Sequence, residues 1–384
     1  AKKSIRTAPR KERALLVGVS IKRKRSVWRI EDSVAELGEL AGSAGARVVD
    51  TVIQKLEKPT NLYVGKGKVD EIKSRIAELK VDTVICDDEL TPTQQRNLEN
   101  ALGEDKKVLD RTALILDVFA SRAQTREGRL QVELAQNEYL LPRLAGQWSH
   151  LERLGGGIGT RGPGETQIET DRRLVRNRIQ HLKRSLQDVR RHRQLHRARR
   201  NNNSVPVVSL VGYTNAGKST LLNKLTKADV RAEDRLFSTL DPVTRRITLP
   251  SGGSALVTDT VGFIHKLPPA LVAAFRATLE EIEESTVIMH VLDATHVNSV
   301  EQALVVESIL KDMHVDRLPR ILVMNKVDLL PEDAGLDEIA APFDLGPDDR
   351  SAFISAMTGL GTSKLLTELD EALAVGPAIS AATG

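Results

Sequence analysis

Residues 212–219 read Gly-Tyr-Thr-Asn-Ala-Gly-Lys-Ser, which matches the phosphate-binding loop pattern G-x-x-x-x-G-K-[ST]. The loop follows the apolar run 207–211 and precedes the leucine-rich segment 221–225, so it lies between a predicted strand and a predicted helix. This order places backbone N–H groups and a helix N-terminus around phosphate oxygens. In this pattern Lys218 reaches the β- and γ-phosphates, and the Ser219 hydroxyl binds Mg²⁺. The stretch therefore predicts a doubly wound α/β sheet with a nucleotide at the carboxyl ends of its strands.

Two more strings follow in the order expected for a guanine-nucleotide site. Residues 259–262 read Asp-Thr-Val-Gly after an apolar strand, which predicts that Asp259 faces the metal. Residues 325–328 read Asn-Lys-Val-Asp, again after an apolar strand. Guanine carries an N1–H and an exocyclic NH₂ side by side, and the Asp328 carboxylate can accept both, whereas adenine lacks this donor pair. The three strings and their order resemble those of the translation-factor-related GTPases.

Composition limits the class of protein. A chain of 384 residues predicts two or three domains, and its single cysteine, Cys86, excludes an intrachain disulfide and fits a reducing cytosol. The sequence contains no apolar run of about 18 residues, the length needed to span a bilayer, and no secretory leader pattern at residues 1–6. We therefore expect a soluble, cytoplasmic protein without a membrane span. We also expect it to work as a monomer.

The positive charge is concentrated in one segment. Residues 172–200 contain twelve Lys or Arg and one acid, Asp188, while the whole chain has a net charge of only +4. Such a basic segment on an otherwise acidic chain is typical of a polyanion binder. Aromatic residues make up only 3% of the chain, so recognition of structured RNA through its backbone and shape is favoured over base stacking.

Residues 1–124 predict a small α/β domain with a mainly parallel sheet. Strands are predicted at 14–19, 47–53, 83–86 and 107–109. Thr91, followed by Pro92 and by Gln94, predicts a capped helix start. The string Gly-Lys-Gly-Lys at 65–68 is weak evidence for a second phosphate site and more simply opens a helix. The acidic string 87–89 could bind a metal in isolation, but a solvated turn is the simpler interpretation.

Residues 125–203 predict an antiparallel helical hairpin. Apolar positions step by four and three residues along both halves, from Leu130 to Leu144 and from Val175 to Val189. The Gly-rich stretch 154–165 joins them as a long tip loop, and the basic segment is the end of the second helix. Beyond this hairpin we assign residues 204–376 to the C-terminal P-loop GTPase domain and residues 377–384 to a disordered tail.

Several strings resemble the HflX family of ribosome-associated GTPases. The most specific are the loop 155–165 and the following residues 166–173, and further similar strings occur at 63–68, 117–123 and 125–136. The resemblance implies binding to the large (50S) ribosomal subunit and its rRNA, with the hairpin tip directed toward the peptidyl-transferase region. It also implies GTP-dependent splitting or rescue of stalled ribosomes under stress.

The motifs and the resemblance together give the candidate site residues. Those expected to bind guanine nucleotides are Gly212, Tyr213, Thr214, Asn215, Ala216, Gly217, Lys218, Ser219 and Thr220, then Phe237, Ser238, Thr239, Leu240 and Asp241, then Asp259, Thr260, Val261 and Gly262, then Asn325, Lys326, Val327 and Asp328, and finally Ser355, Ala356 and Met357. The resemblance favours Thr239 over Ser238 as the switch hydroxyl. We therefore expect Ser219 and Thr239 to bind Mg²⁺, and Lys218, Thr239 and Gly262 to act in catalysis.

Two positions leave alternatives open. Phe263 stands where GTPases such as Ras carry a glutamine that orients the attacking water, so intrinsic hydrolysis should be slow unless a partner or backbone groups complete the site. The ring could also simply pack under the switch. Asn215 stands where potassium-using GTPases carry an asparagine that helps hold K⁺, although it could serve only the tight loop geometry.

Three functions fit these patterns. The favoured one is hydrolysis of GTP by a factor acting on the large ribosomal subunit. An RNA-modifying or ribosome-assembly GTPase is disfavoured, because the sequence shows no second catalytic constellation. The remaining alternative is a nucleotide-gated RNA-binding or ribosome-assembly factor whose hydrolysis is incidental.

Overall fold

The computed structural model describes residues 11–22, 28–103, 106–144, 163–200, 205–226, 236–268, 271, 281–331, 333–343 and 350–375. The predicted tip loop up to residue 162, the polar residues 201–204 and the tail 377–384 lie outside these ranges. The chain divides into two compact units. One comprises residues 1–118 and 136–180, and the other comprises residues 119–135 and 181–384.

The first unit is built on a parallel four-stranded sheet in the order β2-β1-β3-β4. Its strands are β1 (Arg13–Ile21), β2 (Arg47–Leu56), β3 (Thr83–Cys86) and β4 (Lys107–Asp110), and its helices are α1 (Ile30–Ser43), α2 (Lys66–Leu79), α3 (Pro92–Leu102) and most of α4 (Arg111–Arg122). The string at 65–68 opens α2, as its simpler interpretation predicted. Helix α3 begins with the predicted capping box, in which Gln94 N donates to Thr91 Oγ1 at 3.2 Å. The parallel α/β fold predicted for this part is confirmed.

The acidic turn after β3 differs from the expectation of a solvated turn, which is wrong for Asp87. This side chain is completely buried, and its carboxylate accepts hydrogen bonds from Ser33 Oγ at 2.8 Å and Arg111 Nη1 at 2.7 Å. Arg111 also pairs with Glu36. A buried carboxylate is tolerated here because a guanidinium from the start of α4 neutralises it, a contact invisible in the local pattern. Among the described residues, no group of three or more His, Cys, Asp or Glu side chains could hold a metal ion.

Both helices predicted for the hairpin are present. They are α5 (Arg126–Leu140) and the 38-residue α6 (Pro163–Arg200), so the second helix begins inside the stretch predicted as tip loop. Helix α5 belongs to the second unit up to Ala135, and α6 belongs to it from His181 onward. The hairpin as a separate domain, and its antiparallel packing, stay predictions. No helix within the described ranges is both long and apolar enough to cross a membrane.

The second unit contains a six-stranded sheet in the order β10-β9-β8-β5-β7-β6. Its strands are β5 (Val207–Gly212), β6 (Val243–Thr248), β7 (Ser254–Asp259), β8 (Val287–Asp293), β9 (Arg320–Asn325) and β10 (Arg350–Phe353), and its helices are α7 (Lys218–Thr226), α8 (Ser299–Asp312), α9 (Leu336–Ala340) and α10 (Thr362–Val375). Strand β6 at the edge is antiparallel, and all other pairings are parallel. The predicted doubly wound sheet is confirmed.

Helices cover both faces of this sheet. Met289 of β8 lies in a core formed with leucines of α7 and α10, whereas Leu292 of the same strand lies in a second core with Ala303 of α8. Side chains three positions apart on a strand point to opposite faces, so the two cores lie on the two sides of the sheet. Apolar burial on both faces fixes the strand register, and the register sets where each strand ends. The carboxyl ends of β5, β7 and β9 therefore meet at one edge.

Candidate nucleotide-binding site

The phosphate-binding loop joins β5 to α7 at the carboxyl edge of the sheet, where doubly wound folds bind their ligands. The cleft beside it is lined by Thr214, Asn215, Gly217, Lys218, Ser219, Thr220, Phe237, Ser238, Thr239, Thr260 and Gly262. Gly217 has a φ of +95°, and a Cβ there would lie 2.2 Å from Asn325 Nδ2. Only glycine therefore allows the loop to lie this close to Asn325.

Lys218 begins α7 and is buried beneath the loop. Its Nζ donates to Tyr213 O at 2.9 Å and to Gly212 O at 3.2 Å. Burial lowers the pKa of Lys218 to about 8, and the neighbouring Asp259 carboxylate opposes that shift. The amine is thus held at the cleft with little solvent to stabilise its charge, and an anionic phosphate would stabilise the protonated form.

Three oxygen-bearing side chains converge at the floor of the cleft. Ser219 Oγ lies 2.7 Å from Thr239 Oγ1, and both hydroxyls donate to Asp259 Oδ2, at 2.6 Å and 2.8 Å. The structure therefore brings together the serine of the phosphate loop, the threonine chosen in the switch segment and the aspartate after β7.

This cluster has the chemistry of a magnesium site. Hydroxyl and carboxylate oxygens are the hard ligands that Mg²⁺ prefers, often with retained waters. Asp259 Oδ1 is buried and has no hydrogen-bond partner within the part of the chain that the structure describes, so it offers an acceptor for a metal-bound water. Burial raises the pKa of Asp259, while Lys218 and the hydrogen bonds from the two hydroxyls lower it. A bound cation would further stabilise the charged carboxylate. The residues present fit Mg²⁺.

Asn325 connects three segments of the site. Its Nδ2 donates to Ala216 O in the phosphate loop at 2.8 Å, and its Oδ1 accepts from Ala356 N, after β10, at 2.9 Å. The side chain is 2% exposed. Asn325 is therefore a buried clamp that fixes the loop after β10 against the phosphate loop, and both of its polar ends are used within the protein.

Asp328, Lys326 and Met357, also predicted to contact guanine, are not among the residues that line the cleft. Asp328 is exposed on a single 3₁₀ turn, Val327–Leu329. Lys326 has a φ of +66°, and its Nζ pairs with Asp293 Oδ2 at 2.6 Å. Met357 is exposed, next to the buried Ala356. Guanine recognition by Asp328 stays a prediction.

Phe263 is buried, and its backbone joins the phosphate loop. Phe263 N donates to Gly212 O at 3.1 Å, and Thr214 N donates to Phe263 O at 2.8 Å. Gly262 approaches so closely that a Cβ would lie 2.9 Å from the Cα of Thr214 and 3.0 Å from Lys218 Nζ. The phenyl ring packs inside the protein, so no side chain at position 263 reaches the cleft to orient water.

The remaining predicted residues divide into two groups. Tyr213, Ala216 and Val261 have buried side chains, which leaves only their backbone groups available to a nucleotide. Leu240 is also buried, and the Asp241 carboxylate accepts hydrogen bonds from residues 124 and 125 rather than lining the cleft. A direct role of these five in nucleotide binding stays a prediction.

Sequence reasoning missed two contacts around the site. The first is the ion pair between Asp293 and Lys326, which the position of Asp293 at the carboxyl end of β8 could have indicated. The second is the contact of Asp241 with the start of α5, for which the sequence offers no local signal.

Known families match three parts of the chain. A family described as 50S ribosome-binding GTPase matches residues 207–326, GTP-binding GTPase N-terminal matches 31–120, and GTP-binding GTPase Middle Region matches 122–200. A crystal structure described as the SsGBP and GDP complex shares 23% identity over 95% of this chain and 99% of that chain, with a TM-score of 0.52. That likeness shows the fold alone.

Two named relatives match most of the chain. GTPase HflX of Lacrimispora saccharolytica is 50% identical, with 94% of this chain and 83% of the relative aligned. GTPase HflX of Escherichia coli is 43% identical, again over 94% of this chain and 83% of the relative. The family matches cover all three parts of the chain, and the phosphate-loop lysine and three oxygens suited to magnesium converge in the cleft. Together with identity at this level, they show that this chain belongs to the HflX family of GTPases.

Proposed function

We propose that this GTPase binds the large (50S) ribosomal subunit and its rRNA, and that it couples hydrolysis of Mg²⁺-bound GTP to the splitting or rescue of stalled ribosomes under stress. The observation that carries the proposal is the combination, in one HflX-family chain, of a nucleotide cleft with a strongly basic helix, α6. The match of residues 207–326 to the 50S ribosome-binding GTPases supports the choice of partner. We further propose that the protein works as a monomer in the cytoplasm.

The chain's own residues would act on GTP chiefly by positioning it and by neutralising charge. The amides of the phosphate loop and Lys218 would hold the phosphate oxygens and offset the negative charge that develops as water attacks the γ-phosphate. The Ser219 and Thr239 hydroxyls would hold Mg²⁺, with Asp259 accepting from one of its waters. When bound, that ion supplies further neutralisation of phosphate charge. Gly262, without a side chain, keeps the approach to Lys218 open.

Because the Phe263 side chain is buried, it cannot orient the attacking water, and we propose that backbone groups or the ribosome do so. We therefore expect slow hydrolysis by the isolated protein and faster hydrolysis when it is bound to 50S subunits. Turnover measured with and without purified subunits tests this directly. A rate that does not change with subunits would favour the alternative of a nucleotide-gated RNA-binding or ribosome-assembly factor with incidental hydrolysis.

Helix α6 supports an RNA partner. Arg173, Arg176, Arg184 and Arg191 have exposed side chains, whereas Ile179 and Leu182 of the same helix are buried. One face of the helix thus packs on the protein, and arginines occupy other faces where phosphates could reach them. Each phosphate contact releases counterions, so binding through this helix should weaken steeply as salt is raised.

We also propose that Asn215 helps to hold K⁺ beside the phosphates. Asn215 lines the cleft, has an exposed side chain and adopts a φ of +63°. A cation there would offset transition-state charge in the way that an arginine finger does. Hydrolysis with 50S subunits should be faster in KCl than in NaCl at equal ionic strength, and Asn215→Ala should remove the difference. Equal rates in both salts would rule out the ion and leave Asn215 with a purely conformational role.

A further inference from the structure

The switch segment 236–241 is anchored on both sides of Thr239. Phe237 and Asp241, each two residues from Thr239, make contacts with residues 119–128 of the same compact unit. Thr239 itself lies in the oxygen cluster with Ser219 and Asp259. Five consecutive residues are therefore fixed at three points, which leaves the Thr239 hydroxyl few alternative positions.

The first anchor is aromatic. The rings of Phe237 and Phe119 meet edge to face, with centroids 4.4 Å apart and an interplanar angle of 71°, and both rings are buried. Phe237 adopts a φ of +57°, a conformation that few bulky residues adopt unless the surroundings hold them there. The contact with Phe119 supplies such surroundings at the end of α4.

The second anchor is a carboxylate at a helix N-terminus. Asp241 Oδ2 accepts from Gln124 N at 2.8 Å and Thr125 N at 2.9 Å, and Oδ1 accepts from the Thr125 hydroxyl. Thr125 Oγ1 in turn accepts from Gly128 N at 2.9 Å and so caps α5. Three hydrogen bonds to a charged acceptor, at the positive end of a helix dipole, fix the position of this carboxylate.

The start of α5 is shaped to admit this carboxylate. A Cβ at Gly128 would lie 2.5 Å from Asp241 Oδ1, so any larger residue would displace it. Glycine in a helix is otherwise unfavourable relative to alanine. Its presence is explained by the close approach of the switch segment rather than by the helix.

The geometry points to Asp241 and Phe119 as positioning residues that hold Thr239 beside Ser219 and Asp259, where it can bind the magnesium ion of GTP. This inference rests on the proposed magnesium site. Switch segments of GTPases are ordered by contacts to the γ-phosphate and its Mg²⁺. Anchoring should therefore strengthen the response of GTP binding to Mg²⁺ and leave GDP binding unaffected.

The test measures the affinities of fluorescent GDP and of a fluorescent, non-hydrolysable GTP analogue for the full chain, with and without Mg²⁺. Asp241→Ala removes the anchor. Gly128→Ala displaces the anchor through a substitution outside the switch segment. Alanine is the better helix former, which offsets part of the lost hydrogen bonds, so the melting temperature should fall less than in Asp241→Ala. Mg²⁺ increases the affinity of the wild-type protein for the GTP analogue by a certain factor. In both variants this factor should be about tenfold smaller, which is the loss expected for charge-assisted hydrogen bonds. Asp241→Asn keeps an acceptor for the backbone amides and should therefore restore part of the Mg²⁺ effect. The GDP affinity of Gly128→Ala, which lies outside the predicted nucleotide-binding residues, should stay within about twofold of wild type.

Two controls separate the possible failures. Gly42→Ala makes the same substitution in helix α1, where a Cβ would have no atom of the described residues within 4 Å, and it should behave as wild type. Thr239→Val tests the magnesium site itself. If Thr239→Val weakens the Mg²⁺ response but Asp241→Ala and Gly128→Ala do not, the positioning role is wrong and the magnesium site stands. If Thr239→Val has no effect, both are wrong.

Discussion

The clamp formed by Asn325 allows a prediction whose size follows from the structure. Asn325→Ala removes two buried hydrogen bonds, to Ala216 O and from Ala356 N. Ala216 and Ala356 are 1% and 3% exposed, so the carbonyl and the amide would be left buried without partners. Each unsatisfied group costs on the order of 1–2 kcal/mol, which gives a loss of about 2–4 kcal/mol in the free energy of unfolding of the second unit.

For a unit of this size, such a loss should lower the melting temperature of the nucleotide-free protein by roughly 5–10 °C. The clamp also holds the phosphate loop, so GTP and GDP should lose affinity to the same extent. Thermal unfolding followed by circular dichroism, together with titrations of both nucleotides, measures the two effects.

The matched control is Asn298→Ala. Asn298 precedes α8, and its side chain makes no capping hydrogen bond with the described residues of that helix, so the same substitution there should leave both stability and affinity close to wild type. If Asn325→Ala had the same melting temperature as Asn298→Ala but bound nucleotides more weakly, Asn325 would be a direct ligand of the base. That result would refute the clamp.

Three further predictions concern charge. Burial lowers the pKa of Lys218 to about 8 in the free protein, so GTP binding above that pH must take up a proton. The affinity for GTP should therefore fall by up to about tenfold for each pH unit above 8. Lys218→Arg stays charged, and the same dependence of GTP affinity on pH in that variant would contradict this prediction. Asp328→Asn should weaken GTP binding severely and improve binding of xanthosine triphosphate, whose C2 carbonyl accepts where guanine donates; intact GTP affinity would refute the guanine assignment. Neutralising Arg190, Arg191 and Arg193 should weaken binding to 50S subunits in co-sedimentation and reduce its salt dependence, and an unchanged salt slope would exclude α6 from the RNA contact.

Local motifs were sufficient to predict the sheet and two of the three residues at the floor of the cleft, Ser219 and Asp259. The loop 212–219 and Asp259 each follow a strand, and the ends of neighbouring parallel strands meet at one edge, so sequence order alone brings Ser219 and Asp259 together. Thr239 could be predicted as the third residue only from the family resemblance, because its segment has no strand or helix pattern of its own.

Contacts between distant segments were not predictable in this way. Asp241 and Thr125 are 116 residues apart, and Asp87 and Arg111 are 24 residues apart, so neither pair leaves a periodic or spacing signal. From local sequence alone, a carboxylate that follows a strand is predicted to be solvated, because its partner comes from a distant part of the chain. The burial of Phe263 likewise depends on backbone pairing with the phosphate loop, which sequence patterning does not report.

The measurement that tests the central proposal most directly is the dissociation of purified 70S ribosomes, followed by light scattering or sucrose-gradient sedimentation. With GTP and Mg²⁺ the wild-type protein should convert 70S particles into free subunits, while a variant with residues 155–162 shortened should bind 50S subunits but leave 70S particles intact. Ribosomes that stay associated with the wild-type protein, or that split equally well with the shortened variant, would contradict the account.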